Sequence, residues 1–492
     1  MTKYEPVIGL EVHAQIHTAS KMFCACPVVE DTGDLAPNTY VCPVCTGMPG
    51  TLPVINRRAI EIGMLTGLAL HCDVAPVSRF ARKSYFYPDL PKGYQISQYA
   101  LPLSVDGYLE IEVNGVTRRI GVTRAHMEED AGKLYHQGDG GSLVDLNRAG
   151  VPLLEIVSEP DMRSVEEAAA YANKLRAYLV YLGVNAGDME KGMIRFEANV
   201  SVRPVGADVM NPRHEIKNLN SFRALTRSVA YEIENQIATL EAGGTVVQQT
   251  VGWDEAAGVT VPQRGKEEAH DYRYFPEPDL PPLEIDRAWV EELRAQLPEL
   301  PDAKQARFVA DYGLDDYDAA LLVEDRAVAD YFEAVAADMA DTAAIESVHV
   351  APKVVANWVT GELFRLMKES GQDVGETHVP AGALAELIAL VEDDTINQNT
   401  AKEVLAEMFA SGRRARQVVE EKGLAQISDT AALESVVVRI LADNPDEVAE
   451  YLAGKEQILG WLMGQVMRVT RGQANPQVAR ELLQRQLSQI QG

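Results

Sequence analysis

Nothing in this chain of 492 residues approaches the roughly 20 consecutive apolar residues that a membrane-spanning helix needs, which excludes a helical span. The start, Met1-Thr2-Lys3-Tyr4-Glu5-Pro6, lacks the basic residues and apolar core of a secretion signal, so the expectation is a cytoplasmic protein with no membrane contact. Positive charge is also in short supply, with 45 lysines and arginines against 73 acids and a formal net charge of -28. General attraction to polyphosphate is therefore not encoded, and any contact with nucleic acid has to be local. Glycine motifs that cradle phosphate at a helix terminus, G-x-x-x-x-G-K-S/T and G-x-G-x-x-G, are missing, so a nucleotide would have to be held through a metal. The absence of a G-x-S-x-G elbow argues against a hydrolase with a serine nucleophile.

Cysteine is scarce, and its placement is uneven. Of 5 cysteines, four stand as Cys24-x-Cys26 and Cys42-x-x-Cys45, while Cys72 closes a helix-like apolar run. In a reducing compartment such paired, closely spaced cysteines suit a tetrahedral zinc better than disulfides, the alternative being free thiols in a loop. Four thiolate ligands leave no position open to water, which makes the expected site a structural clamp.

Two strand-like stretches carry the clearest sign of chemistry. In Val7 to His17, Glu11, His13, Gln15 and His17 alternate with Ile8, Leu10, Val12, Ala14 and Ile16. In Arg195 to Arg203, Arg195, Glu197, Asn199, Ser201 and Arg203 alternate with Phe196, Ala198, Val200 and Val202. Between them lies His126-Met127-Glu128-Glu129-Asp130. If the fold brings these segments together, Glu11, His13, Glu128, Glu129 and Glu197 form an oxygen-rich pocket for magnesium that requires a phosphate-bearing substrate. An ordinary solvated sheet face alternates in the same way, although such faces favour lysine, threonine and glutamate over a pair of histidines. Lys83, Lys92, Arg148 and Lys217 are the cations expected to balance charge spreading over a transferred phosphoryl group.

Composition divides the chain. Residues 1–290 mix strands and turns with helices expected at Arg57–His71, Val165–Leu182 and Phe222–Ala242, the last two capped by Ser164 and Ser221 and stopped by Gly183 and Gly243. Because strand and helix do not alternate strictly, the expected fold is an α+β cradle with a mostly antiparallel sheet. Residues 291–398 and 399–492 read as all-α helical and tail domains, the last with helices at Thr400–Ser411, Ala431–Asn444, Asp446–Ala453 and Gln457–Val469. In the tail, Arg413, Arg414 and Arg416 follow one helix, and Arg468, Arg471, Gln473 and Asn475 surround a turn. Both groups fit either a phosphate-backbone contact or arginines complementing a helix C-terminus.

Six strings in order, Val7-Ile8-Gly9-Leu10-Glu11-Val12-His13, Ser84-Tyr85-Phe86-Tyr87-Pro88-Asp89, His126 through Lys133, Ser142 through Arg148, Lys217-Asn218-Leu219-Asn220-Ser221 and Asp271 through Asp279, give the chain a family likeness. It resembles the B subunit of the aspartyl/glutamyl-tRNA(Asn/Gln) amidotransferase over essentially its whole length. The resemblance implies a carbon–nitrogen ligase with glutamine as amido-nitrogen donor. In that reaction ATP phosphorylates the side-chain carboxylate of Asp or Glu misacylated on tRNA(Asn) or tRNA(Gln), and ammonia then displaces phosphate. It further implies two partners in a heterotrimer, an amidase that releases the ammonia and a small third protein that braces the pair, with Asp-tRNA(Asn) or Glu-tRNA(Gln) as substrate.

By the same resemblance Glu11, His13, Glu128 and Glu129 fall on motifs associated with magnesium and catalysis, with Lys217 beside them. Glu197 stands where many members have Asp, and its longer reach puts direct ligation there in question. Lys83, Lys92 and Asp130 fall on a polar ammonia route, Cys24, Cys26, Cys42 and Cys45 on the zinc site of some members, and Arg468, Arg471 and Gln473 on the tRNA-binding tail. The rival expectation is a noncatalytic, zinc-braced scaffold that binds tRNA and turns over no ATP.

Overall fold

In the computed structural model, which describes residues 4–29, 35–136, 140–263, 272–346, 350–426, 430–470 and 473–491, the alternation seen in the sequence becomes the two faces of one sheet. The first elements are β1 (Tyr4–Gln15), α1 (Arg57–Ala69), β2 (Asp73–Val74), β3 (Val77–Ser78), β4 (Phe80–Ser84), β5 (Tyr94–Gln98), β6 (Ser104–Val113) and β7 (Val116–Glu129). There follow β8 (Lys133–His136), β9 (Ser142–Asp145), β10 (Pro152–Ser158), α2 (Val165–Tyr181), β11 (Ile194–Pro204), β12 (His214–Leu219) and α3 (Phe222–Glu241). The series closes with β13 (Gln249–Asp254), β14 (Val259–Pro262), β15 (Phe275–Pro276), β16 (Leu283–Glu284) and α4 (Arg287–Arg294).

Nine strands pair in the order β14-β13-β12-β11-β1-β10-β7-β6-β2, and β12–β13 is the one parallel neighbour pair among them. The mostly antiparallel α+β character expected from the sequence is thus observed. Residues Ile8, Leu10, Val12 and Ala14 of β1 are buried in one core with Leu68 of α1, Leu175 of α2 and Leu225 of α3, so helices cover this face and leave the other for polar groups. Each fully buried aliphatic side chain contributes about 1.5–3 kcal/mol. Helix α1 lies close to the sheet because two of its residues lack a side chain. A Cβ on Gly63 would meet Met127 Sδ at 2.6 Å, and one on Gly67 would meet Ser104 Oγ at 2.3 Å.

The expected caps are in place. The hydroxyls of Ser164 and Ser221 accept from the amides of Glu167 and Ala224, and Gly183 and Gly243 follow their helices at φ +69° and +76°. Helix α1 stops before the expected His71, which adopts φ +57°.

The chain divides into two compact units, Met1–Pro301 and Asp302–Gly492. The first extends past the expected residue 290 because Leu293 of α4 is part of its core. The second unit holds two apolar cores, one including Phe308, Phe332, Leu384 and Val418, the other including Leu433, Ile440, Leu462 and Leu483. The tail core starts at Leu433, beyond the expected residue 399, because helix Gln398–Ser411 gives Ala401, Val404 and Leu405 to the preceding core. Among the described residues no helix is long and apolar enough to cross a membrane.

Candidate functional site

Strand register assembles the site. Across β7, β10, β1 and β11, His126 lies opposite Glu155, Glu155 opposite His13, and His13 opposite Arg195. One row along, Arg124, Val157, Glu11 and Glu197 stand in the same succession. On β12 a register shift opposite Glu197 accompanies Asn218 at φ +58°, a bulge of the kind that re-aims side chains beside functional sites. Glu215 and Lys217 complete the polar face, which opens into a pocket of about 820 Å³.

Two groups of ligands emerge. One oxygen or nitrogen from each of His13, Glu128 and Glu155 lies within 4.8 Å of the others, and the same holds for Glu11, Glu197 and Glu215. His13 Nδ1 is 3.3 Å from Glu128 Oε1, and His126 Nε2 is 3.6 Å from Glu155 Oε2. Lys217 Nζ sits 2.9 Å from Glu197 and 3.3 Å from Glu215, whereas among the described residues Glu11 accepts from the amide of Asn199 alone, at 2.9 Å.

Protonation follows from this crowding. Burial pushes the Glu11 carboxyl up, and the carboxylates of Glu155, Glu197 and Glu215 push it further, the signature of negative charge without enough counter-charge. Burial works against a charged His13, but the Glu128 hydrogen bond and surrounding carboxylates prevail and raise it to about 9. His126 moves the other way, lowered chiefly by burial. Carboxylate oxygens are hard donors suited to magnesium, so the Glu11, Glu197 and Glu215 group fits that ion chemically, and the other group does so through Glu128 and Glu155, His13 adding a borderline nitrogen.

Cations ring the pocket. Lys83 lies 4.9 Å from the centre of the Tyr272 ring and 5.9 Å from that of Tyr85, and no carboxylate pairs with it among the described residues. Burial disfavours its charge, yet Glu128 and Glu155 keep it above the ordinary lysine range. Asp130 is buried, which alone would raise its pKa, but Arg148 and Arg195 hold it ionised well below the usual carboxylate range. Gln15 donates to it at 2.8 Å.

The structure corrects two expectations. Glu129 does not join Glu128, His13 and Glu155, because consecutive strand residues face opposite ways and Glu128 takes the open side. Glu129 instead accepts from the Ile96 amide at 2.8 Å and from Lys92, so Lys92 also leaves the large pocket. Both line a second cavity of about 220 Å³ together with Cys24, Cys45 and Tyr94. Lys83 and Asp130 stay in the large pocket, so that Glu129 and Asp130, neighbours in the chain, line different cavities.

The sulfur atoms of Cys24, Cys26, Cys42 and Cys45 lie within 4.8 Å of one another, a group that could hold a metal ion. Lys21, buried, points its ammonium at Cys45 Sγ from 3.8 Å, and Cys45 is lowered to about 4 by its Cys24 hydrogen bond and that cation. In the tail Arg468 is exposed, Gln473 donates to the Gly423 carbonyl, and Arg471 lies outside the described residues.

Sequence reasoning missed Glu155 and Glu215 as members of these two groups, though each left a trace. Glu155 is the sole acid in the apolar run Pro152–Ser158, and Glu215 alternates with Lys217.

Residues 6–291 match the family model described as the GatB/GatE catalytic domain, and residues 330–487 match that of the GatB domain. A protein of Moorella thermoacetica, named as the B subunit of the aspartyl/glutamyl-tRNA(Asn/Gln) amidotransferase, is 56% identical over 488 residues, covering 99% of this chain and 100% of its own length. Proteins of the same name from Caldanaerobacter subterraneus and Thermodesulfovibrio yellowstonii are 51% and 52% identical, the first covering 99% of this chain and 100% of its own length, the second 98% of each.

Proposed function

The chain belongs to the family of aspartyl/glutamyl-tRNA(Asn/Gln) amidotransferase B subunits, and from that premise we propose that its open sheet face phosphorylates a tRNA-borne carboxylate with ATP. The complex is a carbon–nitrogen ligase with glutamine as nitrogen donor, in which a partner amidase supplies ammonia and a small third protein completes the heterotrimer. A side-chain oxygen of Asp on tRNA(Asn) or Glu on tRNA(Gln) attacks the γ-phosphorus, and the bond to the β,γ-bridging oxygen breaks to release ADP. Ammonia then adds to the acyl carbon, the C–O bond breaks, and inorganic phosphate leaves with the amide formed.

The observation that carries this reading is the convergence of His13, Glu128 and Glu155 with Glu11, Glu197 and Glu215 in one pocket that also presents Lys83 and Lys217. Those six residues would hold magnesium, which neutralises phosphoryl charge when bound. Lys83, which has no carboxylate partner among the described residues, would bind the substrate carboxylate. Lys217 and Arg213 supply further positive charge in the same pocket.

A third cavity of about 430 Å³ shares Glu11, Arg124, Arg213 and Gln248 with the main pocket. It is lined by Gly9, Leu10, Val157 and Met210, and the buried Asn199 Oδ1 has no hydrogen-bond partner among the described residues. An apolar slot with one free acceptor suits the base of ATP, with its phosphates directed towards Glu11. Ammonia would enter through the smaller cavity, past Lys92 and Glu129, and reach Asp130, whose ionised carboxylate accepts its hydrogen bonds.

The four cysteines would hold zinc as a closed clamp. Cys42→Ser should therefore abolish bound zinc and lower Tm by on the order of 5 °C. Metal analysis and calorimetry check this, and unchanged zinc content would contradict it. In the tail, Arg468→Glu should weaken tRNA binding about equally for both tRNAs and lower the salt slope of binding by about 1. A titration series in salt measures it, and an unchanged slope would remove Arg468 from the interface. The proposal itself is tested by incubating the heterotrimer with each misacylated tRNA, ATP and glutamine. Amide formed without ATP consumption would refute it.

A further inference from the structure

One wall of the main pocket is aromatic, and it continues beyond the pocket. The Tyr85 and Tyr272 rings meet edge to face at 5.9 Å, Tyr272 meets Tyr274 at 6.1 Å, and Tyr274 stacks on Tyr99 at 4.3 Å with 10° between planes. Lys83 lies against the inner end of this series, over Tyr272. At the outer end, Tyr99 is 46% and Phe275 45% exposed. Tyr99 and Tyr274 line both the main pocket and a small outer groove of about 80 Å³, whose other members include Arg79, Leu101 and Phe275. Arg79 has no ion-pair partner among the described residues, in a chain with a surplus of 28 acids.

A half-exposed ring already stacked from behind and flanked by an unpaired arginine is how proteins hold an unpaired base and its phosphate. Strands β4 and β15, through Phe275 opposite Arg82, fix the groove against the pocket mouth. We propose that this groove receives the unpaired terminal nucleoside of the tRNA acceptor end, its base stacked on the outer face of Tyr99 and its phosphate near Arg79.

The inference rests on the phosphorylation reading, and it follows from the covalent chemistry of the substrate. The amino acid is esterified to the terminal ribose, so a side-chain carboxylate at Lys83 holds the terminal base on a tether of about eight or nine bonds, long enough to set it at the pocket's rim. Tyr99 and Tyr274 occupy that rim. They act as positioning residues and touch no reacting atom.

The test uses the assembled heterotrimer and uncharged tRNA carrying 2-aminopurine as its terminal base. Binding to the unaltered protein quenches the fluorophore, Tyr99→Phe preserves the quenching, and Tyr99→Ala or Tyr274→Ala loses most of it. Tyr99→Ala weakens tRNA binding roughly 5- to 150-fold, the range for one base–aromatic stack. A tRNA abasic at its terminal position shows the same loss with the unaltered protein and no further loss with Tyr99→Ala, since both remove one contact. In turnover, Tyr99→Ala raises KM for misacylated tRNA more than it lowers kcat. Full quenching with Tyr99→Ala, or losses that multiply when both changes are combined, would overturn the proposal. Because the fluorescence assay contains no ATP, its failure is distinct from a failure of phosphoryl transfer.

Discussion

Replacing Glu155 by glutamine is expected to cut ATP-dependent phosphorylation of misacylated tRNA at least roughly a hundredfold, and by as much as about a thousandfold. The substitution keeps shape and removes one charge. Glu155 faces three partners: His126 at 3.6 Å, Arg124 at 3.7 Å and, across the strand pair, His13. Although burial raises its pKa, its interaction with His126 and with the His13, Lys83 and Arg124 charges prevails and holds Glu155 ionised below the ordinary carboxylate range. A glutamine there leaves the His13 group with one carboxylate fewer for a divalent ion and leaves Arg124 without its counter-charge. Binding of tRNA should change little, since Glu155 lies on the pocket floor and is buried. Single-turnover phosphorylation measured beside filter-bound tRNA separates these effects. Phosphorylation within a few-fold of the unaltered rate would show that Glu155 serves only to fix Arg124.

The second large effect concerns stability. Arg82 grips Glu277 through two hydrogen bonds of 2.7 Å, and the Glu277 side chain is wholly buried. This pair joins β4 to the residues after β15 and so fixes the aromatic wall. Arg82→Met leaves the carboxylate buried and unpaired, with an expected cost of about 3–5 kcal/mol. Arg82→Lys should cost less because charge persists while the fork is lost. The double change Arg82→Met with Glu277→Leu should recover most of the stability, because neither charge remains to be desolvated. Denaturant melts of the parent, the three variants and Glu277→Leu alone complete the cycle. Equal midpoints for Arg82→Met and the parent would mean that water reaches Glu277 freely.

Much of the fold was legible because its signals are local. The caps Ser164 and Ser221 and the stops Gly183 and Gly243 act within a few residues of their helices and were read correctly. The polar faces of β1 and β11 were equally plain, because burying one side of a strand dictates alternation. Which strands would adjoin was not local information. Strand β10 sits between β1 and β7, and only that placement makes Glu155 a neighbour of His13 and His126. The error at Glu129 has a simpler origin. Adjacent acids in a strand cannot share a face, so of Glu128 and Glu129 one had to turn towards Lys92. The closing helix, Pro476–Gln491, was overlooked although Leu482, Leu483 and Leu487 are buried at helical spacing, because its remaining surface is rich in glutamine and arginine.

The central claim is that a side-chain oxygen of the tRNA-borne amino acid becomes bonded to the phosphorus of ATP at this face. Oxygen-18 placed in the side-chain carboxylate of the misacylated residue follows that bond directly. In the complete reaction with ATP and glutamine, one labelled oxygen per amide formed is expected in the inorganic phosphate. Phosphate free of the label, with amide still produced, would contradict the account.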